Sequence, residues 1–380
     1  MAQPGLSVSP VPHVDTLAQA GLPFDRLPEP DYDRHPAYGR AFGKPTLALR
    51  LKAITTLAPW LVFVLVKRML LFDRLQSLPD YGGPMSGGVL GRLTKAPRYV
   101  PLVVRALAET WQRRLFSGRQ IAVPEPGVPL LDVLRDQGIT VTRLSPEEVA
   151  ALNTSLDRPI TKLLKQRGAA GKTTFEANQV WLNTKDYANV YTLLDRALSE
   201  RGIIGAASGY LRRPVTITHL TLQINDARDA FHHNKFADVG CPDPATNYMH
   251  VDTTFEILKC MIYLNEVTAL NGPFSYVIGS SKLRVGFAES LVRRAVDRCG
   301  LTGYARGTRE MFMALPRALR KKCTFGSDLT NGTPEVNALI AAEYQATSAD
   351  GNVVLFDNLG IHRGALATNG ERRILVATLG

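Results

Sequence analysis

The chain has 380 residues, of which 45% are hydrophobic, enough for one large core or a core with a substantial appendage. Its four cysteines, Cys241, Cys260, Cys299 and Cys323, are unclustered and form no C-x-x-C pair. That excludes a disulfide frame or a zinc knuckle and suits buried or idle thiols in a reducing cytosol. The formal charge of +11 asks for an anionic partner: a membrane surface, a nucleic acid or an acidic small molecule.

The opening M-A-Q-P-G-L-S-V has no basic stretch followed by an apolar one, so no secretory signal is expected and a cytoplasmic location is. Residues 1–43 are rich in Pro, Asp, Gly and Ala without periodicity and read as an extended, mobile segment. His13 and His35 fall in it and read as solvated loop histidines.

From Pro45 the pattern is apolar and helical, interrupted by Pro59, and residues 44–125 read as a basic, mostly helical extension. Its charge-free run from Ala53 to Val66 is 14 residues long, where a bilayer span needs about 20. Lys52, Lys67 and Arg68 flank it, so residues 50–72 could lie in a headgroup interface. A helix docked on the β core, or at an interface between copies of the chain, is the favoured expectation. Residues 44–120 hold 13 Lys and Arg against 3 Asp and Glu. No zinc-finger spacing, aromatic RNA-binding motif or helix-turn-helix signal accompanies them, so nucleic acid ranks last among the partners.

Val123–Pro129 looks like a linker, and residues 126–380 read as the main domain. A short helix stops at Gly138, Ile139 to Thr142 alternate as a strand, and Ser145 caps a helix with Pro146 at its first position. Helices over 154–214 should pack outside a β core. Val215–Asn225 is a strand by β-branching and alternation, with His219, Thr221, Gln223 and Asn225 on one face. If that face looks inward, Gln223 and Asn225 either hydrogen-bond a bound small molecule or are satisfied interior polar groups. Residues 226–248 form a polar loop, a candidate substrate lid. Its adjacent His232 and His233 point opposite ways and read as solvated.

The informative part follows. N-Y-M-H-V-D-T-T-F places His250 and Asp252 two residues apart, on one face of a strand. His362 closes the β-rich run G-N-V-V-L-F-D-N-L-G-I-H-R-G. Two imidazoles and one carboxylate on a β scaffold are the facial triad of non-haem Fe(II) oxygenases. Between them lie the Asn271-Gly272 turn and, over 283–349, an insertion with two basic helical stretches. Beyond His362, E-R-R-I-L-V-A-T-L opens a strand with two arginines, either of which can fork a carboxylate.

These motifs, H-V-D, N-G-P-F leading to G-S-S-K, G-N-V-V-L-F, the distal histidine and the later arginine, resemble the phytanoyl-CoA dioxygenase-like family of Fe(II)/2-oxoglutarate oxygenases. The order and rough spacing agree from Pro129 to Gly380, and the S-P-E-E helix start fits too. The resemblance implies an α+β fold with a mainly β core: a double-stranded β-helix, jelly-roll and cupin-like, with outer helices, behind the helical extension. It implies that His250, Asp252 and His362 hold Fe(II), that 2-oxoglutarate and O2 are cosubstrates, and that an aliphatic C–H of a small-molecule, acyl or lipid-like substrate is hydroxylated. The family's arginine, about eleven residues beyond the distal histidine, falls on Arg373, with Arg372 one short; only one can point inward, and Arg373 is the expectation. Asp252 argues against halogenation. Two positions depart from the pattern: Gly364 stands where Ser or Thr is common, and Ser281 replaces a histidine. Alternative readings are a desaturase or ring-forming oxygenase with the same site, or a non-catalytic cupin-like metal binder.

Overall fold

A computed structural model describes residues 22–71, 104, 108, 121–168, 178–227, 236–241, 245–252, 257–283, 285–301, 305–323, 329–348 and 351–380. The larger antiparallel sheet contains β1 (Ile139–Arg143), β2 (Gln179–Leu182), β3 (Ile217–Asp226), β4 (Leu258–Tyr263), β7 (Asn352–Asp357) and β9 (Glu371–Leu379), in the order β1-β7-β4-β9-β3-β2. The smaller has β6 (Glu343–Ala346), β5 (Phe274–Val277) and β8 (His362–Gly364), in the order β6-β5-β8. An antiparallel bridge between His250 and His362 adds the H-x-D segment to its free edge. From β4 onward the chain passes back and forth between the sheets, so each strand's neighbours are distant in sequence. This winding is the expected jelly roll.

The middle of the larger sheet is covered on both faces, whereas its β2–β3 end is partly exposed. Leu220, Leu222, Leu258, Cys260, Val353, Leu355, Leu375 and Ala377 pack outward on the helices Gly127–Gln137 (α2), Pro146–Gly168 (α3), Ala188–Glu200 (α4) and Ile203–Leu211 (α5). The intervening Tyr263, Val354, Phe356, Ile374 and Val376 point inward, against Phe274 and Tyr276 of the smaller sheet. That is why β7 reads N-V-V-L-F-D with no polar alternation: each residue meets a core.

Local signals hold where the sequence placed them. Gly138 ends α2 at φ 79°, a left-handed turn that glycine takes without strain. At the start of α3, Glu148 N donates to Ser145 Oγ (3.2 Å) while Ser145 N donates to Glu148 Oε2 (2.6 Å), a reciprocal capping box.

The front of the chain differs from expectation. The helix Leu47–Leu71 (α1) runs through Pro59 without a break. Leu57 and Val64, on either side of the proline, are both buried, so packing holds the helix where propensity would end it. They join Tyr32, Tyr38, Phe236 and the helices Phe287–Arg298 (α6) and Arg306–Met313 (α7) in a second apolar core. Of the two histidines expected to be solvated, His35 is 5% exposed, its ring edge-on to Tyr38 and Phe236; His13 lies outside the described residues. Arg309, wholly buried on α7, ties these parts together by donating to Asp238 and to the carbonyl of Ala37.

Candidate metal centre

His250 and His362 are brought together by backbone pairing. His250 N donates to His362 O (3.0 Å), His362 N donates back to His250 O (2.9 Å), and the rings lie 4.4 Å apart. Asp252 N donates to Asn358 O (3.1 Å), which fixes the carboxylate beside them. Asp252 Oδ2 is 3.5 Å from His362 Nε2 and Oδ1 is 3.7 Å from His250 Nε2. One ligand atom from each residue lies within 4.8 Å of the other two.

The imidazoles are oriented by the same device. Nδ1 of His250 is 2.9 Å from the carbonyl of Tyr248, and Nδ1 of His362 is 2.9 Å from that of Gly360. A carbonyl only accepts, so each neutral ring carries its proton on Nδ1 and turns the Nε2 lone pair toward the carboxylate. Tyr248 reaches this position at φ 61°, a conformation costing a non-glycine residue on the order of 1 kcal/mol or more. Such strain is tolerated where surrounding contacts fix it, as the two backbone bonds of the bridge do here. Burial, then the neighbouring His362, push the His250 imidazole down to about 3, so it is neutral near pH 7. Burial alone would raise the Asp252 carboxyl; the Lys259 ammonium, then His362, hold it well below the usual carboxylate range. Two imidazoles that turn Nε2 toward an ionised carboxylate fit a divalent metal.

Lys259 is the residue that sequence reading missed. Its ammonium is 2.6 Å from Asp252 Oδ2. It faces inward with Met261 and Tyr263, whereas Leu258, Cys260 and Ile262 face the outer helices. Phe274 and Phe356 line the wall beside His362, with ring centres 5.8 and 5.0 Å from it. Asn358 is fully buried, and neither of its side-chain amide atoms is hydrogen-bonded to a described residue.

The arginine expectation is corrected by strand register. Arg372 pairs across the sheet with Asn225 and shares the inward face with Ile374 and Val376; it is 4% exposed. Its Nη2 donates to Asn225 Oδ1 (3.3 Å) and its Nη1 to the carbonyl of Gly272. Arg373 lies on the other face, on the side of Leu375 and Ala377, and donates to Glu371 Oε1 (2.6 Å). A Cβ on Gly364, two residues past His362 on β8, would stand 2.9 Å from Arg372 Nη2. The glycine that departs from the family pattern therefore makes room for this guanidinium. Gln223 also shares the inward face, but its amide donates to Gln179 on the neighbouring β2 (3.3 Å). His232, His233 and part of the expected lid, residues 228–235 and 242–244, lie outside the described residues.

No family model matches the chain, and no curated protein matches it. Among solved structures it is similar to AviO1 from Streptomyces viridochromogenes Tue57, at 17% identity over 68% of this chain and 96% of that one, with a TM-score of 0.36. It is similar to SnoK, a non-heme alpha ketoglutarate dependent carbocyclase from nogalamycin biosynthesis, at 15% identity over 69% and 87%, with a TM-score of 0.41. A third is EctD from S. alaskensis, determined with 2-oxoglutarate and 5-hydroxyectoine, at 17% identity over 70% and 79%, with a TM-score of 0.38.

Proposed function

We propose that residues 126–380 form an Fe(II)/2-oxoglutarate-dependent dioxygenase that hydroxylates an aliphatic C–H of a small-molecule, acyl or lipid-like substrate. The observation that carries this reading is the convergence of His250 Nε2, His362 Nε2 and the Asp252 carboxylate, with both Nδ1 atoms engaged by backbone carbonyls. Iron bound there would supply O2 activation coupled to decarboxylation of 2-oxoglutarate to succinate.

The chain's own part is to hold and orient. Arg372 would take the distal carboxylate of 2-oxoglutarate in a two-pronged grip, a role supported by its inward face and by Asn225 Oδ1, which accepts from its guanidinium. Gly364 leaves the space that the grip needs. Phe274 and Phe356 keep the wall beside His362 apolar, which strengthens electrostatic contacts at the site by excluding water. Four free cysteines support a reducing, cytoplasmic setting, and no helix among the described residues is long and apolar enough to cross a membrane.

The test is succinate release from 2-oxoglutarate under air by the Fe(II)-loaded protein, followed by a mass search for substrates that gain one oxygen atom. Succinate formation that disappears in Asp252→Ala supports the reading. No succinate with any candidate pool, or full activity in that variant, overturns it. A product lacking two hydrogens, or carrying a new ring, would move the chain to the desaturating or cyclising class on the same site.

A further inference from the structure

We propose that the outward face of α1 is a docking surface for an anionic lipid bilayer. The helix buries one side, through Ala53, Leu57 and Val64, on the core it shares with α6 and α7. A second side carries Leu47, Leu51, Ile54, Ala58, Val62 and Leu65 at steps of four, three, four, four and three residues, the spacing of one helical stripe. All six are exposed, Leu47 at 72% and Val62 at 61%. At 1.5 Å per residue the stripe is roughly 27 Å long. A continuous apolar strip of that length on a water-facing surface marks an interaction site.

Charge selects the occupant. The helix contains no acidic residue. Arg50 and Lys52, both exposed, flank the stripe on opposite sides. At its N-terminal end, Lys44, Arg50 and Ile54 line a groove of about 530 Å3 that also carries Phe42, Met313 and Leu315. Neither Lys44 nor Arg50 has an ion-pair partner among the described residues. A second copy docked through this face would set like charges against each other, because a two-fold interface repeats the same patch on both sides. An anionic bilayer satisfies both features: acyl chains take the stripe and headgroup phosphates take the cations. Residues 44–71 hold five Lys and Arg and no Asp or Glu, so their long-range field has the same sign. The helix would lie in the interface plane, anchored through its other side to the rest of the molecule.

The test is co-sedimentation of the full chain with vesicles of phosphatidylcholine alone and with added phosphatidylglycerol, and it is independent of catalysis. Binding is expected to the anionic vesicles, weakening with added salt. Leu51→Glu with Val62→Glu should reduce it at least about tenfold. Lys44→Glu with Arg50→Glu should remove the preference for anionic lipid. Because all four side chains are exposed, circular dichroism should match the parent. The proposal is overturned if the protein stays in the supernatant with both vesicles, or if the stripe variants bind as well as the parent. It is equally overturned if those variants bind no vesicle and instead turn a dimer into a monomer, or lower the melting temperature because another part of the chain covers the stripe.

Discussion

Lys259 Nζ stands 2.6 Å from Asp252 Oδ2, so the carboxylate that would ligate a metal already has a cation of the protein's own on one oxygen. Two effects compete when a divalent ion arrives. The ammonium steadies the carboxylate, but it also repels the ion and occupies one of the two oxygens. The ammonium and a divalent ion are like charges competing for one carboxylate, so removing the ammonium should favour the ion.

Lys259→Met should therefore destabilise the metal-free protein by about 1–3 kcal/mol, through a half-buried carboxylate left without its donor. The same variant should gain more stability than the parent on addition of Mn(II) or Co(II), because the metal replaces the missing cation. Thermal denaturation with and without metal reads both numbers. A smaller metal-induced shift in the variant would mean that Lys259 chiefly orients Asp252.

The arginine pair offers a sharper division. Arg372 faces inward beside Gly364, and Arg373 faces the outer helices and pairs with Glu371. Arg372→Lys keeps the charge and loses the fork, so the KM for 2-oxoglutarate should rise by about tenfold to a hundredfold with a smaller change in kcat. Arg373→Ala should alter neither by more than about twofold, since it removes only a partly exposed ion pair. Steady-state kinetics on the two variants decides the point, and an effect confined to Arg373 would reverse the assignment.

That reversal shows what a sequence can and cannot reveal here. His250 and Asp252 were legible as a pair from their spacing, although only His250 joins a sheet, through its bridge to His362. Arg372 and Arg373 were not, because counting from His362 crosses the turn of residues 365–370, where Gly370 takes φ 67°. One residue more or less in a turn exchanges every side chain of the next strand between faces. Lys259 was hidden for a related reason: L-K-C-M-I-Y is apolar on both sides, so nothing in it says which side meets Asp252. The burial of His35 depends on Phe236, some two hundred positions away, and no local pattern carries that contact.

Tyr210 tests the electrostatics behind the site. Its hydroxyl donates to Asp357 Oδ2 (2.6 Å), at the end of β7 that leads toward His362. Burial raises the Asp357 carboxyl, and the bonds from Tyr210 and from Leu359 N partly offset this. Tyr210→Phe should raise it further and cost about 1–3 kcal/mol near neutral pH, where the carboxylate is ionised. The sign with pH follows from proton uptake. A carboxyl raised in the native state binds more protons there than when unfolded, so stability falls as pH rises through that window. The difference between variant and parent should therefore be largest near pH 7 and shrink toward about pH 4. Urea denaturation across that range checks it, and a difference that grew on acidification would sink the argument.

Arg309 probes the second core. It is wholly buried between the rings of Phe42 and Phe236, and its donors reach Asp238 and the carbonyl of Ala37. It therefore links α7, the segment after β3 and the front of the chain at one point. Arg309→Met preserves much of the volume but leaves Asp238 with the more distant Arg306, at 3.9 Å. Asp238 is partly exposed, so water recovers some of the loss, and destabilisation of about 2–3 kcal/mol is expected. The cost should be local. Hydrogen exchange should accelerate over residues 31–42 and in α1 while β4, β7 and β9 keep their protection, and metal affinity at His250, Asp252 and His362 should not change. Uniform loss of protection across the sheets would instead mean that the two cores unfold as one unit.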